Sequence, residues 1–546
     1  MMLYALAGSV LVAGVVADRP TLRFVEVAAQ SGIVDTALVE SCCWGDYDGD
    51  GDDDLYLTIQ GPNRLLRNNG DGSFTDVTQQ AGVGHPGWGV GCAFADLDND
   101  GDEDLYVVNF GGGLDVLYRN DGDGTFTDVT LSAGVTDESS SRGMTLIDFD
   151  RDGLLDIYVN AIGRDILYHN LGSLRFENVA AQMGMTNFGQ GVGAVATDID
   201  GDGWLDLFTG NRSGDPNILY RNDRGTLVDI TDSAGITEVG LGMGVLSLDF
   251  DGDLDMDLYW TTWPDEMNAL YRNNGDLTFT DWATSTYTTD PDGWGISCNA
   301  GDVDRDGFMD FFVTNGFDPS STKNVLFRNE RGLGYSDASL FVGDLRYDGR
   351  GVAFSDYDLD GDMDIVVTTD EGLATRLYRN DTGTRNHWLS IRLHGTCSNA
   401  SGIGARIEVT TDLATMVQEV SGGAGRGSFN SRRLLFGLNE ASEIRRVRIF
   451  WPSGVVQDLA DDLLVMDAAL EVVESERADV NGDGARDADD FFAYLDLFAG
   501  GDARADMTGS SNPADPGYGL GDGVIDADDF FYFLDAFRLG GCPRGG

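Results

Sequence analysis

Short apolar runs alternate with polar turns along most of this chain, and the runs recur. Val90-Gly-Cys-Ala-Phe-Ala95 is small and apolar. Leu105-Tyr-Val-Val-Asn109 is β-branched and aromatic, and Leu117-Tyr118-Arg119-Asn120 and Phe126-Thr-Asp128-Val129-Thr130 follow it. Runs of this length and composition, bounded by Gly-, Asp- and Asn-rich turns, predict strands. Four of them make one repeat, and the third is echoed at Leu219-Tyr220-Arg221-Asn222 and Leu377-Tyr378-Arg379-Asn380. The last repeat lacks its fourth strand, because the pattern changes after Asn380. The missing piece stands at the front, as Phe24-Val25-Glu26-Val27-Ala28. This predicts a ring closed by the N-terminal strand, which removes the edges that an open sheet exposes. Four strands per unit around a ring is the plan of a β-propeller.

Between the first and second strand of each repeat lies an acidic loop of the form D-x-D-x-D-G-x-x-D. Seven copies start at Asp46, Asp96, Asp148, Asp198, Asp249, Asp302 and Asp356, at spacings of 50, 52, 50, 51, 53 and 54 residues. A fixed period of this length marks a repeat architecture, so the expected fold is mainly β, with a seven-bladed propeller over residues 18–383. Four positions are Asp in every copy. They are Asp46, Asp48, Asp50 and Asp54; Asp96, Asp98, Asp100 and Asp104; Asp148, Asp150, Asp152 and Asp156; Asp198, Asp200, Asp202 and Asp206; Asp249, Asp251, Asp253 and Asp257; Asp302, Asp304, Asp306 and Asp310; and Asp356, Asp358, Asp360 and Asp364. Calcium takes about 6–8 oxygen ligands, largely carboxylates, carbonyls and water. Alternate residues of a tight loop can turn those oxygens to one centre. The position after the central Gly varies freely (Asp52, Leu154, Trp204, Phe308), as expected where only a backbone carbonyl serves. Leu254 replaces the Gly in the fifth loop. A left-handed non-Gly residue costs on the order of 1 kcal/mol, so that loop is expected to be the weakest. The alternative, acidic turns without metal, would leave seven clusters of uncompensated repulsion.

Past the repeats, residues 384–475 lose the acidic loops. Trp388-Leu-Ser-Ile-Arg-Leu393, Ala405-Arg-Ile-Glu-Val409 and Val447-Arg-Ile-Phe-Trp451 predict a small β-domain. Residues 478–538 then carry a tandem. Asp479, Asn481, Asp483, Asp487 and Asp490 occupy the first, third, fifth, ninth and twelfth positions of an EF-hand loop, with Asp where Glu is usual at the last. Phe491-Phe492-Ala-Tyr-Leu495-Asp-Leu-Phe498 follows with helical spacing. The unit recurs around Asp522, Asp526 and Asp529 with the helix at Phe530–Phe537. Its loop lacks early ligands, since Tyr518 and Leu520 stand at ligand positions, and Asp506 and Thr508 are the candidate substitutes. About seven calcium ions in the ring and one or two in the tandem are therefore expected. Residues 539–546 end in Gly540-Gly541-Cys542-Pro543, where Cys542 is a candidate for modification or covalent linkage.

Charge and cysteine content narrow the setting. The 546 residues carry a net charge of −58, of which the loops supply 28 acidic residues, and seven divalent ions would leave about −44. Nucleic acid and anionic membranes are poor partners for such a surface. Lys323 is the only lysine. Met1–Val16 is apolar and Val15-Val16-Ala17 has a small-residue cleavage pattern, so residues 1–17 are expected to be a signal peptide, despite the missing basic n-region. The stretch is too short for a good membrane span, and the sequence does not fix the start codon. A secreted protein follows as the expectation. Six Cys are too few to build a disulfide scaffold. Cys42, Cys92 and Cys298 fall on the predicted innermost strands. Cys42 is placed to bridge Cys92 or adjacent Cys43, or all are buried apolar residues.

The repeated loops resemble the FG-GAP/VCBS repeats of integrin α-subunit propellers over roughly residues 20–383. That resemblance implies a loop joining the first two strands of a blade and holding calcium. Asn399-Ala-Ser-Gly402-Ile-Gly404-Ala405, Leu435-Phe-Gly437-Leu438 and Trp451-Pro452-Ser453-Gly454 resemble the ASPIC/UnbV domain found after such repeats in cartilage-acidic-protein-like proteins. The C-terminal tandem resembles a dockerin domain with a bacterial Gly-Cys tail. It implies a cohesin-like or cell-surface anchor.

No Cys/His metal spacing, Gly-x-Ser-x-Gly nucleophile signature or phosphate-binding Gly loop is present. The four His are His85, His169, His387 and His394, and His169 takes the place of the repeat's Arg. The sequence reading is a calcium-binding, non-enzymatic module for extracellular carbohydrate or protein ligands. A polysaccharide-active enzyme on a propeller scaffold is the alternative. Trp88 and Trp294 precede predicted inner strands and are candidates to line one mouth of the ring. Arg426, in Gly425-Arg426-Gly427, is not an Arg-Gly-Asp motif and is assigned no adhesive role.

Overall fold

A computed structural model describes residues 19–185, 188–236, 240–263, 266–317, 323–475, 488–501, 505, 507–508 and 524–539. The expected signal peptide, the first four ligands of the EF-hand-like loop, Asp506 and the Gly-Cys tail lie outside the described residues.

Most of the chain is β, in antiparallel four-stranded groups whose strands pair in chain order. The first group is Val39–Gly45, Asp54–Ile59, Arg64–Asn68 and Phe74–Asp76. The last takes Gly349–Ser355, Asp364–Thr369 and Arg376–Asn380, and its fourth strand is Phe24–Glu26, with Phe24 opposite Asn380. The N-terminal strand thus completes the final unit, as the repeat pattern predicts. First strands of successive units lie side by side, and Val39–Gly45 lies against Gly349–Ser355, so the units form a closed ring of propeller type.

The burial gradient explains the arrangement. In the first unit the first and second strands are buried throughout, whereas the fourth keeps one buried residue followed by two exposed ones. Each fully buried Val, Leu or Phe contributes roughly 1.5–3 kcal/mol, so the apolar runs take the centre and Phe-Thr-Asp takes the rim. Close approach of the first strands requires small residues. A Cβ on Gly143 would sit 2.1 Å from the Val192 carbonyl oxygen. Two details exceed the sequence reading. A one-turn helix such as Thr78–Ala81 follows several fourth strands. The second strand of the third unit, Asp156–Arg164, overruns and pairs with Phe188–Thr197 of the fourth. Cys42, Cys43, Cys92 and Cys298 are buried free thiols, so neither bridge considered for Cys42 forms. Cys42, Cys92 and Cys298 do lie on first strands.

The second domain is two small sheets. Leu434–Asn439, His387–His394 and Ala468–Val473 form one, and Thr415–Glu419, Arg406–Thr411, Ile444–Phe450 and Val456–Asp458 the other. Leu389, Ile391, Ile407, Val409, Phe436, Val447 and Ile449 are buried with core residues of the first three units in one cluster.

A segment of this domain, residues 421–431, fills the centre of the ring. Gly422 O accepts from Leu146 N at 2.7 Å, Gly425 N donates to Val245 O at 2.6 Å, and Gly427 O accepts from Cys92 N at 3.2 Å. Phe429 N donates to Cys42 O at 3.1 Å and Ser431 N to Phe354 O at 2.9 Å. Asn430 Nδ2 donates to Ala300 O at 2.9 Å. Glycine is required here. Gly425 has φ +63°, and a Cβ on it would meet Ser297 Oγ at 2.3 Å. The inner strands offer unpaired backbone groups, and the inserted chain supplies their partners.

In the tandem, helices Ala488–Gly500 and Ala527–Leu539 share their own aromatic core, with Tyr494 and Phe533 stacked at 4.0 Å.

Candidate metal centre

Each acidic loop connects the first and second strands of its unit, and its last Asp begins the second strand. The turn is tight because its own carboxylates hold it. In the first loop Asp46 accepts from Asp50 N at 3.0 Å and from Gly51 N at 3.1 Å, and Asp54 Oδ2 accepts from Tyr47 N at 3.2 Å. The central residue is left-handed, with φ of 95° at Gly51 and 75° at Leu254. The fifth loop therefore adopts the Gly conformation without Gly, as the substitution predicts. A second left-handed position, two residues earlier, escapes the sequence reading because it holds Asn99, Arg151, Arg305 and Leu359 as well as Gly.

Carboxylate oxygens converge in these loops. One oxygen each from Asp46, Asp48 and Asp50, from Asp96, Asp98 and Asp104, from Asp148, Asp150 and Asp156, and from Asp198, Asp200 and Asp206 lie within 4.8 Å of one another. Several are buried without a hydrogen-bond partner, namely Asp98 Oδ1, Asp251 Oδ1, Asp304 Oδ1, Asp356 Oδ1 and Asp358 Oδ1. An anionic oxygen buried without a partner is costly. The donor set is all oxygen, which fits a hard divalent cation such as calcium. Burial, followed by smaller effects of neighbouring loop carboxylates, pushes Asp54 up to about 9 and Asp104 up to about 8. Asp156, Asp206, Asp257, Asp310 and Asp364, at the same position of their loops, move in the same direction with burial as the main cause. A cation is what would hold such groups ionised.

The repeated Leu-Tyr-Arg-Asn run serves the loops. Its Asn is a latch between units. Asn120 N donates to Asp104 Oδ1 at 2.9 Å, and its Nδ2 donates to Tyr47 O, in the preceding loop, at 2.8 Å. The same reach runs from Asn170 to Leu97 O, Asn222 to Phe149 O, Asn273 to Ile199 O, Asn329 to Phe250 O and Asn380 to Val303 O, at 2.7–2.9 Å. Asn68 closes the ring on Tyr357 O at 2.9 Å. The Arg is more than scaffold in some units. Arg221 donates to Asp200 at 2.6 Å and Asp202 at 3.0 Å, and Arg272 to Asp251 and Asp253, both at 2.6 Å. His169 faces Asp150 at 3.1 Å. The two Arg, and His169 when protonated, neutralise part of the cluster at the second and third ligand positions.

The second domain sits on this acidic end. Arg392 donates to Asp46 at 3.1 Å and to Glu103 at 2.7 Å, and Arg432 also pairs with Glu103. Arg406 reaches Leu254 O at 2.8 Å. The second loop of the tandem is partly visible. Asp529 accepts from Met507 N at 2.6 Å, Thr508 N at 2.8 Å and Asp526 N at 2.7 Å, which brings the Thr508 segment beside that loop. Asp490 is buried.

Trp88 and Trp294 lie at the opposite end of the ring, where first strands begin. Trp88 packs edge-on to Phe110 at 4.9 Å, and Trp294 lies 6.3 Å from Trp263.

FG-GAP-like repeats match residues 46–107, 100–159, 148–209, 198–260 and 249–313, and an ASPIC and UnbV domain matches residues 395–479. The chain thus carries FG-GAP-like repeats followed by an ASPIC/UnbV domain. It is homologous to cartilage acidic protein 1. The Mus musculus protein is 29% identical over 285 residues, 50% of this chain and 43% of that protein. The Homo sapiens protein is 29% identical over 293 residues, 51% and 43% of the two chains. The match spans less than half the length of these relatives. Among solved structures, a lectin of Agrocybe aegerita that recognises non-reducing terminal N-acetylglucosamine aligns at TM-score 0.38 and 18% identity, over 55% of this chain and 81% of that one. A likeness at that level carries no argument here. No helix among the described residues is long and apolar enough to cross a membrane.

Proposed function

We propose that this chain is an exported, non-enzymatic binding or adhesion module for carbohydrate or protein ligands. Its core is a seven-bladed propeller loaded with about seven calcium ions, made rigid by the inserted segment of the ASPIC/UnbV domain, and tethered through the dockerin-like tandem. The observation that carries the reading is the set of convergent, buried loop carboxylates with oxygens that no group among the described residues satisfies. Calcium at each loop would satisfy them, remove the repulsion and stiffen the turns between first and second strands. The latch Asn of the next unit holds the same loop, so ion binding in one unit supports its neighbour. The non-enzymatic reading is supported by the use of the histidines. His169 serves a loop, and His387 and His394 pair with Asp467 at 2.8 Å and Glu471 at 2.7 Å.

Tethering is supported by the separate aromatic core of the tandem, which among the described residues shares no cluster with the ring. Screening the full chain against glycans and extracellular proteins, with calcium and with chelator, tests the module. Saturable, calcium-dependent binding without turnover is expected, and turnover of a bound polysaccharide would replace the module with an enzyme. Deleting residues 478–546 is expected to release the protein from the cell surface with the melting of the ring unchanged. Unaltered fractionation would refute the tether.

A further inference from the structure

Three guanidinium groups from distant parts of the chain collect at the end of the ring away from the acidic loops. Arg142 is on the first strand of the third unit, Arg212 follows the second strand of the fourth, and Arg426 is carried there by the inserted segment. Arg142 and Arg426 are only 8% and 7% exposed. Burial, with added repulsion from Arg212 and Arg426, lowers Arg142 to about 9, and burial with repulsion from Arg426 lowers Arg212. Glu40 is the carboxylate that faces them, and both its oxygens are engaged. Oε2 accepts from Arg426 Nη1 at 3.0 Å and Oε1 from Trp88 Nε1 at 3.2 Å. Among the described residues Arg142 has no hydrogen-bond or ion-pair partner, and the Nε atoms of Arg142, Arg212 and Arg426 are buried and unmatched.

Arg350 shows the contrast. It also stacks on a ring at this mouth, Phe317, at 3.9 Å, but it is paired with Asp370 at 3.0 Å. The chain has 93 Asp and Glu against 35 Lys and Arg, so a carboxylate for Arg142 is not scarce. Burying like charges without partners is destabilising, and folding alone gives no reason for it. The groups are held by their faces. Arg142 lies over Phe110 at 4.9 Å and Arg212 over Trp263 at 4.8 Å, and Trp263 in turn packs against Trp294 and Phe317. Stacking on the faces leaves the planar N–H edges to bind an oxyanion in fork geometry.

Resting on the binding-module reading above, we infer that this mouth is a subsite for the acidic group of a carbohydrate, a carboxylate or sulfate on a sugar ring. The edges of Arg142, Arg212 and Arg426 take the oxyanion, and the wall of Trp88, Trp263 and Trp294 takes the apolar face of the sugar. Aromatic walls with a few placed polar groups are the usual make-up of small-ligand sites. The strongly negative chain repels a long polyanion, so the ligand enters by a single acidic terminal residue.

Calorimetric titration of the full chain in calcium tests this, with a glucuronate-terminated oligosaccharide, its sulfated counterpart, the neutral parent and an Asp/Glu peptide. At least one acidic sugar should bind saturably and the neutral parent at least tenfold more weakly. The two acidic arms separate carboxylate from sulfate. Arg142→Gln and Arg212→Gln should each weaken that binding tenfold or more without lowering the melting temperature, and Arg142→Lys should retain part of it. Equal binding of acidic and neutral sugars, unchanged binding by Arg142→Gln, binding of the peptide alone, or no binding of either acidic sugar overturns the inference. If Arg142→Gln keeps every calcium-dependent ligand found in the broader screen, the subsite is wrong and the module stands.

Discussion

The two ends of the ring are charged in opposite senses, and each is short of counter-charge. At the loop end, burial and crowding raise Asp54 to about 9, and at the other end they lower Arg142 to about 9. The physics is the same, since low polarisability and like neighbours disfavour the charged form. The construction differs. The acidic end is written seven times in the repeat, whereas the basic end draws single residues from two units and from the inserted segment. A repeated site answers to a ligand that binds many times, such as an ion. An unrepeated site answers to one ligand per molecule.

If calcium fills the loops as proposed, its removal is the largest perturbation of this contrast, because it strikes one end only. Each ion at a hundredfold excess over its Kd contributes roughly 2.7 kcal/mol by linkage. Full chelation is therefore expected to lower the melting temperature by about 10 °C or more in scanning calorimetry, and an unchanged transition would dissolve the distinction. The pH dependence should follow. Carboxyls with raised folded values bind protons more tightly folded than unfolded. Their contribution is complete below the ordinary value of 3.8 and is lost as pH rises towards the values of about 9 and 8 at Asp54 and Asp104. In chelator the melting temperature should fall steadily between pH 5 and pH 9, and calcium should abolish that slope. A rising profile in chelator would contradict the burial of these groups.

The inserted segment links the two ends. Gly425→Val adds bulk at a left-handed position against Ser297 and Cys298, and should cost about 3 kcal/mol in denaturant melts. It should also open the segment to protease. Asn222→Ala removes the latch to Phe149 O and leaves buried carbonyls unmatched, at roughly 2–3 kcal/mol. That loss should persist in chelator, whereas Asp200→Ala, which removes a loop carboxylate, should lower the melting temperature in calcium and hardly change it in chelator. The smallest effect is at the fifth loop. Leu254→Gly relieves the left-handed strain and should stabilise the calcium-bound chain by up to about 1 kcal/mol, with tighter ion binding there. No gain would mean that the loop carries its Leu without penalty.

Much was determined by local sequence. Strand runs, the loop period, the closing strand at Phe24–Glu26, the left-handed Leu254 and the two tandem helices all follow from short-range chemistry, because periodicity and turn residues act within a few positions. The acidic cluster was legible for the same reason, since its ligands are neighbours in the chain. The role of Asn in Leu-Tyr-Arg-Asn was not, because its partner is a carbonyl more than seventy residues away. Nor was the run around Gly422–Gly427. Its glycines carry no local signal, and only the ring around them shows that a Cβ would collide. Arg142, Arg212 and Arg426 carry no motif at all. Their meeting depends on the angle of each unit around the axis and on how far the inserted segment reaches, quantities set by packing of whole sheets. Local sequence determined the elements and the repeated ion-type loops. Tertiary structure alone decided which end is plugged and where the unpaired positive charge gathers, because those depend on distances through space that no spacing along the chain encodes.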